Sequence, residues 1–370
     1  MEKSVKLKIR QKFSSLDIRA LISELNKEIT GCKINSVFSI NQRTYLLRCG
    51  KSSRKVDIII ESGTKIVSST EKVNKQDQPN FFCQQLRKLM NGFYIKEIQQ
   101  VGVERLVQIT LRGTDSTGND IIFYLIVELY ARGNIVFCDH NYRIVALLRP
   151  HIYNDQVKWA INEKYPFQIA AKFYLEKISL SQFDFEEFER NPKATALSAL
   201  NSILPFCHQS LAEINLLSVE IKPTDKITSS NVETIKKVAQ EIFNLYTNKF
   251  DGKGYRYFLD GSQKSFEFSP VPLNYNKIFG ERIKEVEDTN FQKSLELHFD
   301  QHNVKIDLKS EEIKIEEEAM KKFEKIKEDQ EKRLIQMREE INTSLDKGFL
   351  IEKHCNEIDA IIGVILLDNK

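Results

Sequence analysis

The chain has 370 residues, 41% of them hydrophobic and 29% charged, so a real core can be buried and more than one domain is expected. A formal net charge of +3 hides an asymmetry: residues 1–150 carry 24 Lys+Arg against 14 Asp+Glu, net +10, and the remainder 31 against 38, net −7. This composition excludes collagen, a disulfide mini-protein and a multi-span membrane protein, and the basic front half predicts a polyanionic partner.

Six scattered cysteines without C-x-x-C spacing fit reduced thiols of a cytoplasmic protein better than a disulfide frame. The opening MEKSVKLKIRQK is basic but is followed by no apolar core, so it does not read as a signal peptide. No apolar stretch approaches the ~18 residues of a membrane span, and no membrane contact is expected.

The first clear element runs from Ser14 to Gly31, where Ile18, Leu21, Ile22, Leu25 and Ile29 follow the rhythm of an amphipathic helix. Ser14 or Ser15 is suited to cap its start, and Asp17 then lies in the first turn, favourable to the helix dipole. Strand-like runs follow at Ile34–Ile40, Thr44–Cys49 and Val56–Ile60, then a second helix at Asn80–Met90. Strand signals resume at Leu106–Leu111, Ile121–Leu129, Ile135–Cys138 and Ile144–Leu148, with a tight turn at Tyr130–Asn134 where Gly133 can take positive φ. The front half therefore reads as mixed α and β with hairpins, not as an alternating parallel α/β sheet.

From Asn154 to Asn248 the pattern is mostly helical, punctuated by Pro166, Pro192, Pro205 and Pro223. Tyr255–Phe268 predicts a hairpin turning at Asp260-Gly261. Beyond Gly280 no Gly or Pro occurs before Gly348, and residues 301–347 contain 24 charged side chains. Ile306, Ile313, Met320, Leu334 and Ile341 fall on a seven-residue repeat interrupted by Lys327. Phe323 and Met337 occupy the partner seam, which Glu316 and Gln330 weaken. A long helix with an imperfect coiled-coil heptad is expected. The apolar run Ala360–Leu367 needs something to pack against and is read as belonging to a longer protein.

No Gly-rich phosphate loop, H-E-x-x-H, G-x-S-x-G or G-x-x-x-x-G-K-[ST] occurs, and no metal site or cofactor is expected; the pairs Cys207-His208 and His354-Cys355 lack zinc spacing. The positive signal is basic. Lys3, Lys6, Lys8, Arg10 and Lys12 form an arm, and Arg43, Arg48, Lys51, Arg54 and Lys55 cluster near a predicted hairpin, as phosphate contacts require. Each cluster taken alone is more often a plain solvated face.

Several strings then stop being generic. Lys12-Phe13-Ser14-Ser15-Leu16-Asp17-Ile18-Arg19-Ala20 resembles the opening signature of the NFACT family, whose bacterial members were once called fibronectin-binding proteins. Leu86-Arg87-Lys88, Val101–Val107, Glu128–Val136, Leu148-Arg149-Pro150 and Gly252-Lys253-Gly254-Tyr255 match in the family's order, and Phe323–Glu340 is similar to the start of its middle coiled coil.

The resemblance implies an α+β protein in three parts. Residues 1–150 would form a mixed domain like the N-domain of formamidopyrimidine-DNA glycosylase. Residues 151–300 would be a helix–hairpin–helix-like helical region with a β-hairpin, and 301–370 a charged coiled-coil helix with a return segment. It implies a non-catalytic scaffold of ribosome-associated quality control. Its partners would be the large ribosomal subunit with its rRNA, obstructed peptidyl-tRNA, aminoacyl-tRNA recruited for C-terminal tailing, and a Listerin-type E3 ubiquitin ligase. The family's tailing residues fall on Asp17, Glu104 and Arg105, with Glu104 one methylene longer than the family's Asp. Lys12, Arg19, Arg87, Lys88 and Arg132 are further RNA-binding candidates. Leu204-Pro205-Phe206-Cys207-His208 stands where a Gly-containing hairpin is expected. The rivals are a catalytically dead glycosylase-like nucleic-acid binder and a plain coiled-coil scaffold. An active glycosylase is disfavoured because Glu2 follows Met1 and the first proline is Pro79.

Overall fold

The computed structural model describes residues 9–52, 54–69, 73–76, 78–114, 117–154, 157–177, 190–191, 193–302 and 308–368. Lys3, Lys6, Lys8, Pro192 and Ile306 lie outside these residues. The chain divides into two units, Met1–Val304 and Lys305–Lys370.

The first unit is mixed α+β around a large antiparallel sheet. Its strands are β1 (Lys33–Ser39), β2 (Thr44–Lys51), β3 (Arg54–Glu61), β4 (Lys65–Ser69), β5 (Tyr94–Gln100), β6 (Leu106–Thr114), β7 (Asp120–Glu128), β8 (Asn134–Cys138) and β9 (Ile144–Leu147), in the order β4-β3-β2-β1-β5-β6-β7-β8-β9. Two meanders meet where β1 and β5 pair through Lys33 and Tyr94. Helix α1 (Ser15–Ile29) packs on β5 and α2 (Phe81–Met90) on β1. Leu21, Leu25 and Ile29 of α1 are fully buried in this core, each contributing on the order of 1.5–3 kcal/mol by leaving water.

Alternation along the second meander buries both faces. Val107, Ile109, Leu125, Val127, Ile135 and Phe137 enter the core under α1, while Leu106, Ile126, Val136 and Cys138 face a second cluster with Trp159 and Tyr165. That cluster is closed by a short hairpin, β10 (His151–Ile152) with β11 (Lys158–Trp159), followed by α3 (Phe167–Ala170). Helices α4 (Ala196–Ile203), α5 (Gln209–Ser218) and α6 (Val232–Thr247) build a third cluster with β12 (Gly254–Leu259) and β13 (Ser265–Ser269). After α7 (Tyr275–Phe279), strand β14 (Ile283–Asp288) completes a three-stranded sheet in the order β13-β12-β14. Helix α8 (Phe291–His302) then returns Phe291 and Leu295 to the core of the large sheet, so residues on both sides of position 150 share it.

Three strands carry weak sequence signals. β5 has a bulge between Ile95 and Glu97 that breaks its alternation, β4 has five residues, and β14 buries only Ile283 fully. The expected helical stretch from Asn154 begins instead with the β10–β11 hairpin, and its longer helices lie at Ala196–Thr247.

In the second unit, α9 (Leu308–Lys353) runs 46 residues, about 69 Å at 1.5 Å per residue, and α10 (Cys355–Asp368) follows it. Met320, Phe323, Leu334, Met337 and Ile341 of α9, and Ile361, Ile362, Val364 and Ile365 of α10, are exposed. Among the described residues no helix is long and apolar enough to cross a membrane.

Candidate functional site

The start of α1 is built by its own side chains. The Ser14 hydroxyl accepts from the Asp17 N–H (3.2 Å), and the Asp17 carboxylate accepts from the Ser14 N–H and hydroxyl, both at 2.6 Å. Asp17 is 1% exposed and also pairs with Arg10. The Arg10 guanidinium continues to Glu267 Oε1 and the Phe268 carbonyl, each at 2.8 Å, and lies 4.4 Å over the Phe268 ring. Burial works against the Arg10 charge, but Asp17 and Glu267 outweigh it and push its pKa up. This network ties the segment before α1 to β13.

The turn Gly102–Arg105 joins β5 to β6. Gly102 has φ +61°, and a Cβ there would overlap the Phe173 carbonyl oxygen, so glycine is required on both counts. The turn is pinned by neighbours. Gln100 Nε2 donates to the carbonyls of Ser15 and Glu104 at 2.9 Å, and the Ser15 hydroxyl donates to the Val103 carbonyl. Glu104 Oε1 accepts from the N–H groups of Lys172 (3.1 Å) and Phe173 (3.3 Å). Arg105 differs. Its half-buried guanidinium makes no hydrogen bond or ion pair among the described residues, and burial lowers its pKa, opposed by Glu104 and reinforced by Arg10.

Opposite this turn, Pro205–His208 connects α4 to α5. Phe206 packs edge-on to Tyr246 at 4.7 Å, and His208 stands at the N-cap of α5 without a side-chain capping bond. Burial, then the nearby Arg10 and Arg105, lower the His208 pKa to about 3, so the imidazole is neutral. Leu16 and Val103 enter the helical cluster and hold α1, the turn and α4–α5 together. Between them lies a cavity of about 410 Å³ lined by Ser14, Glu104, Arg105, Tyr130, Phe206 and His208, among others.

The structure thus brings Glu104 and Arg105 to one cavity, while Asp17 does not line it but is hydrogen-bonded to Ser14, which does. The other expected residues lie elsewhere. Lys12 and Lys88 are exposed. Arg19 is half-buried, its pKa lowered by burial and opposed by Glu176. Arg87 Nε donates to the Val37 carbonyl at 2.5 Å, and its guanidinium lies over the Phe38 ring. Arg132 borders a second cavity. Sequence reasoning missed Arg10, Gln100, Tyr130 and His208 as parts of the site. The Tyr130 hydroxyl is buried without a hydrogen bond of good geometry, although Glu128 and Tyr165 lie close. Among the described residues no group of three or more His, Cys, Asp or Glu side chains is placed to hold a metal ion.

Over 78% of the chain the fold is shared with two solved bacterial proteins. One is the N-terminal part of the fibronectin/fibrinogen-binding protein from Streptococcus suis, with a TM-score of 0.54 and 14% identity, covering 78% of this chain and 99% of that one. The other is the fibrinogen binding protein from Staphylococcus aureus, with a TM-score of 0.56 and 17% identity, covering 78% and 98%. These likenesses concern fold alone. In sequence, residues 14–359 match the family described as NFACT N-terminal and middle domains, and the chain belongs to that family. Its relatives include the ribosome quality control complex subunit NEMF of Homo sapiens, 30% identical over 379 residues, and of Mus musculus, 29% identical over 379. Each alignment covers 96% of this chain and 34% of the relative, so the chain spans about a third of their length. The Drosophila melanogaster homolog is 24% identical over 407 residues, covering 96% and 40%.

Proposed function

We propose that this chain is the RNA-facing part of a ribosome-associated quality-control factor. It would bind the large ribosomal subunit carrying obstructed peptidyl-tRNA and hold aminoacyl-tRNA for C-terminal tailing. Membership of the family and the names of its relatives support the process. The observation that carries the site is Arg105, a half-buried guanidinium left without a hydrogen-bonded anion beside the amino end of α5. Helix amino termini carry unpaired N–H groups, and a guanidinium can grip a phosphate with two parallel bonds.

In this reading Arg105 takes an RNA phosphate, and the neutral His208 adds a hydrogen-bonding edge. Glu104 braces the turn through Lys172 and Phe173. Asp17 acts through Arg10 and Ser14 as a positioning residue. Lys12, Arg19, Arg87, Lys88 and Arg132 add phosphate contacts outside the cavity. The chain itself catalyses nothing, and peptide bonds of the tail form at the ribosomal peptidyl-transferase centre. The sheet domain is of the glycosylase N-domain kind, α4–α5 serve as the helix–hairpin–helix, and α9 uses its exposed apolar residues as a coiled-coil seam toward a Listerin-type ligase in the cytoplasm.

Sedimentation with purified large subunits, with and without peptidyl-tRNA, tests this. Retention that is stronger with peptidyl-tRNA is expected, and failure to bind either at moderate salt would overturn the reading. The same assay with Arg105→Ala should lose the preference for tRNA-loaded subunits.

A further inference from the structure

A cavity of about 790 Å³ opens where the amino end of α2 meets the segment before β2 and the segments that follow β9 and β11. Its size is that of a ligand pocket. Phe81, Leu147, Leu148 and Ile161 supply apolar walls, and Arg43 and Arg149 supply charge. Among the described residues no Asp or Glu lines it.

Phe81 is placed there by its helix and not by the core. The Asn80 side chain caps α2, accepting from the Cys83 N–H at 2.9 Å, and its Nδ2 donates to the Tyr45 hydroxyl at 3.0 Å. Phe82, Cys83, Leu86 and Met90 carry the buried face of the helix. Phe81, one residue inside the cap, is 75% exposed, more than any other large apolar side chain among the described residues. Ile161 is 49% exposed, and Leu147 and Leu148 are half-buried. An exposed phenylalanine adds little to folding, and contiguous exposed apolar surface marks a contact for a partner.

The charge of the cavity is one-sided. Arg43 Nη2 donates to the Ser62 carbonyl at 2.9 Å. Arg149 Nη2 donates to the Ser62 hydroxyl (2.5 Å) and to the carbonyls of Arg132 (2.6 Å) and Gly133 (2.7 Å). These bonds hold both guanidinium groups against neutral oxygens. Among the described residues neither arginine pairs with a carboxylate, and their Nε and Nη1 groups make no hydrogen bond. The first turn of α2 carries no acid, so nothing in it offsets the positive end of the helix.

The complement is a chain that offers a bulky apolar side chain and a carboxylate together. A nucleic acid would satisfy the arginines alone, because ribose and base edges are polar and the side chains of Leu147, Leu148 and Ile161 give them no hydrogen-bonding group. A wholly acidic peptide would leave the apolar walls in water.

We propose that this cavity docks a short acidic and apolar segment of a partner protein. One leucine-like or phenylalanine-like side chain lies against Phe81 and Ile161, and a carboxylate a few positions along the segment pairs with Arg43 and Arg149. The proposal does not depend on the reading that this chain binds RNA.

A random peptide library displayed on phage is selected against the full chain, and the enriched peptides are labelled and titrated by fluorescence anisotropy. Enriched sequences should combine bulky apolar residues with Asp or Glu. Phe81→Ala should weaken their binding about tenfold at an unchanged melting temperature, because the side chain is exposed. Arg43→Glu should weaken it as much, and lysine in place of the peptide's acid should restore binding to that variant. Should Arg43→Glu lower the melting temperature by releasing Ser62, changing the peptide's acid to its amide tests the same contact and should also cost about tenfold. Enrichment of no peptide, or equal affinity for the wild-type and Phe81→Ala chains, would overturn the proposal. Dimerisation in sedimentation equilibrium that Phe81→Ala abolishes would make the occupant a second copy of this chain. Weaker binding of a single-stranded RNA of about ten nucleotides by Phe81→Ala would give the cavity to RNA instead.

Discussion

Arg105 lines the cavity, Asp17 is bonded to Ser14 of its lining, and the two sit in opposite electrostatic circumstances. Asp17 is 1% exposed, and hydrogen bonds from Ser14 and an ion pair with Arg10 occupy its carboxylate. Arg105 is half-buried and has no hydrogen-bonded partner among the described residues. A charge enclosed by partners holds structure together, because removing it strands the others in a poor solvent. A charge partly desolvated and left unpaired is poised for a ligand that brings the missing anion. We propose on this basis that two residues of one motif set divide into support and contact.

The comparison is sharpest under substitution. Asp17→Ala should cost about 3–5 kcal/mol in chemical denaturation, because Arg10 loses a buried partner. A loss under ~1 kcal/mol together with abolished RNA binding would move Asp17 from support to contact. Gly102→Ala should cost about 1–3 kcal/mol through positive φ and the overlap with Phe173, and should weaken RNA binding by displacing the Glu104–Arg105 turn. Arg105→Ala should leave the melting temperature nearly unchanged and weaken tRNA binding about tenfold, with a shallower salt dependence by about one unit.

His208 gives a pH test. Its folded pKa of about 3 lies below the ordinary 6.5, so the unfolded chain binds the proton first as pH falls. Its contribution to stability is therefore complete above about 6.5 and is lost progressively as pH drops toward about 3. His208→Asn should flatten that part of the stability–pH curve, and an unchanged slope would show that the imidazole is solvated. The smallest effect is expected for Glu104→Gln. The amide oxygen can still accept from Lys172 and Phe173, so stability should change by less than ~1 kcal/mol.

Much of the fold is legible in the sequence where contacts are local. The capping box at Ser14 and Asp17, the helix ending at Met90, the turn at Gly133, the hairpin at Asp260-Gly261 and the long helix α9 all follow from neighbours a few positions apart. β5 and β14 are hidden because a bulge and a charged edge erase the period of two. At the site, the motif residues Glu104 and Arg105 do share a cavity. Arg10 looked like one more charge of a basic arm, because its partner Glu267 lies 257 positions away. His208 looked incidental beside Cys207, since only the packing of α4–α5 against the β5–β6 turn makes it part of the wall. Long-range pairing assigned the support, and no local pattern announces it.

The central claim is that Arg105 supplies the ligand contact while Asp17 positions the start of α1 through Ser14 and Arg10. Equilibrium binding of tRNA by the wild-type chain and by Arg105→Ala, with the melting temperature recorded on the same samples, tests it most directly. The account predicts about a tenfold loss of affinity at an unchanged melting temperature. Equal affinity in the two chains, or a loss that appears only together with unfolding, would contradict it.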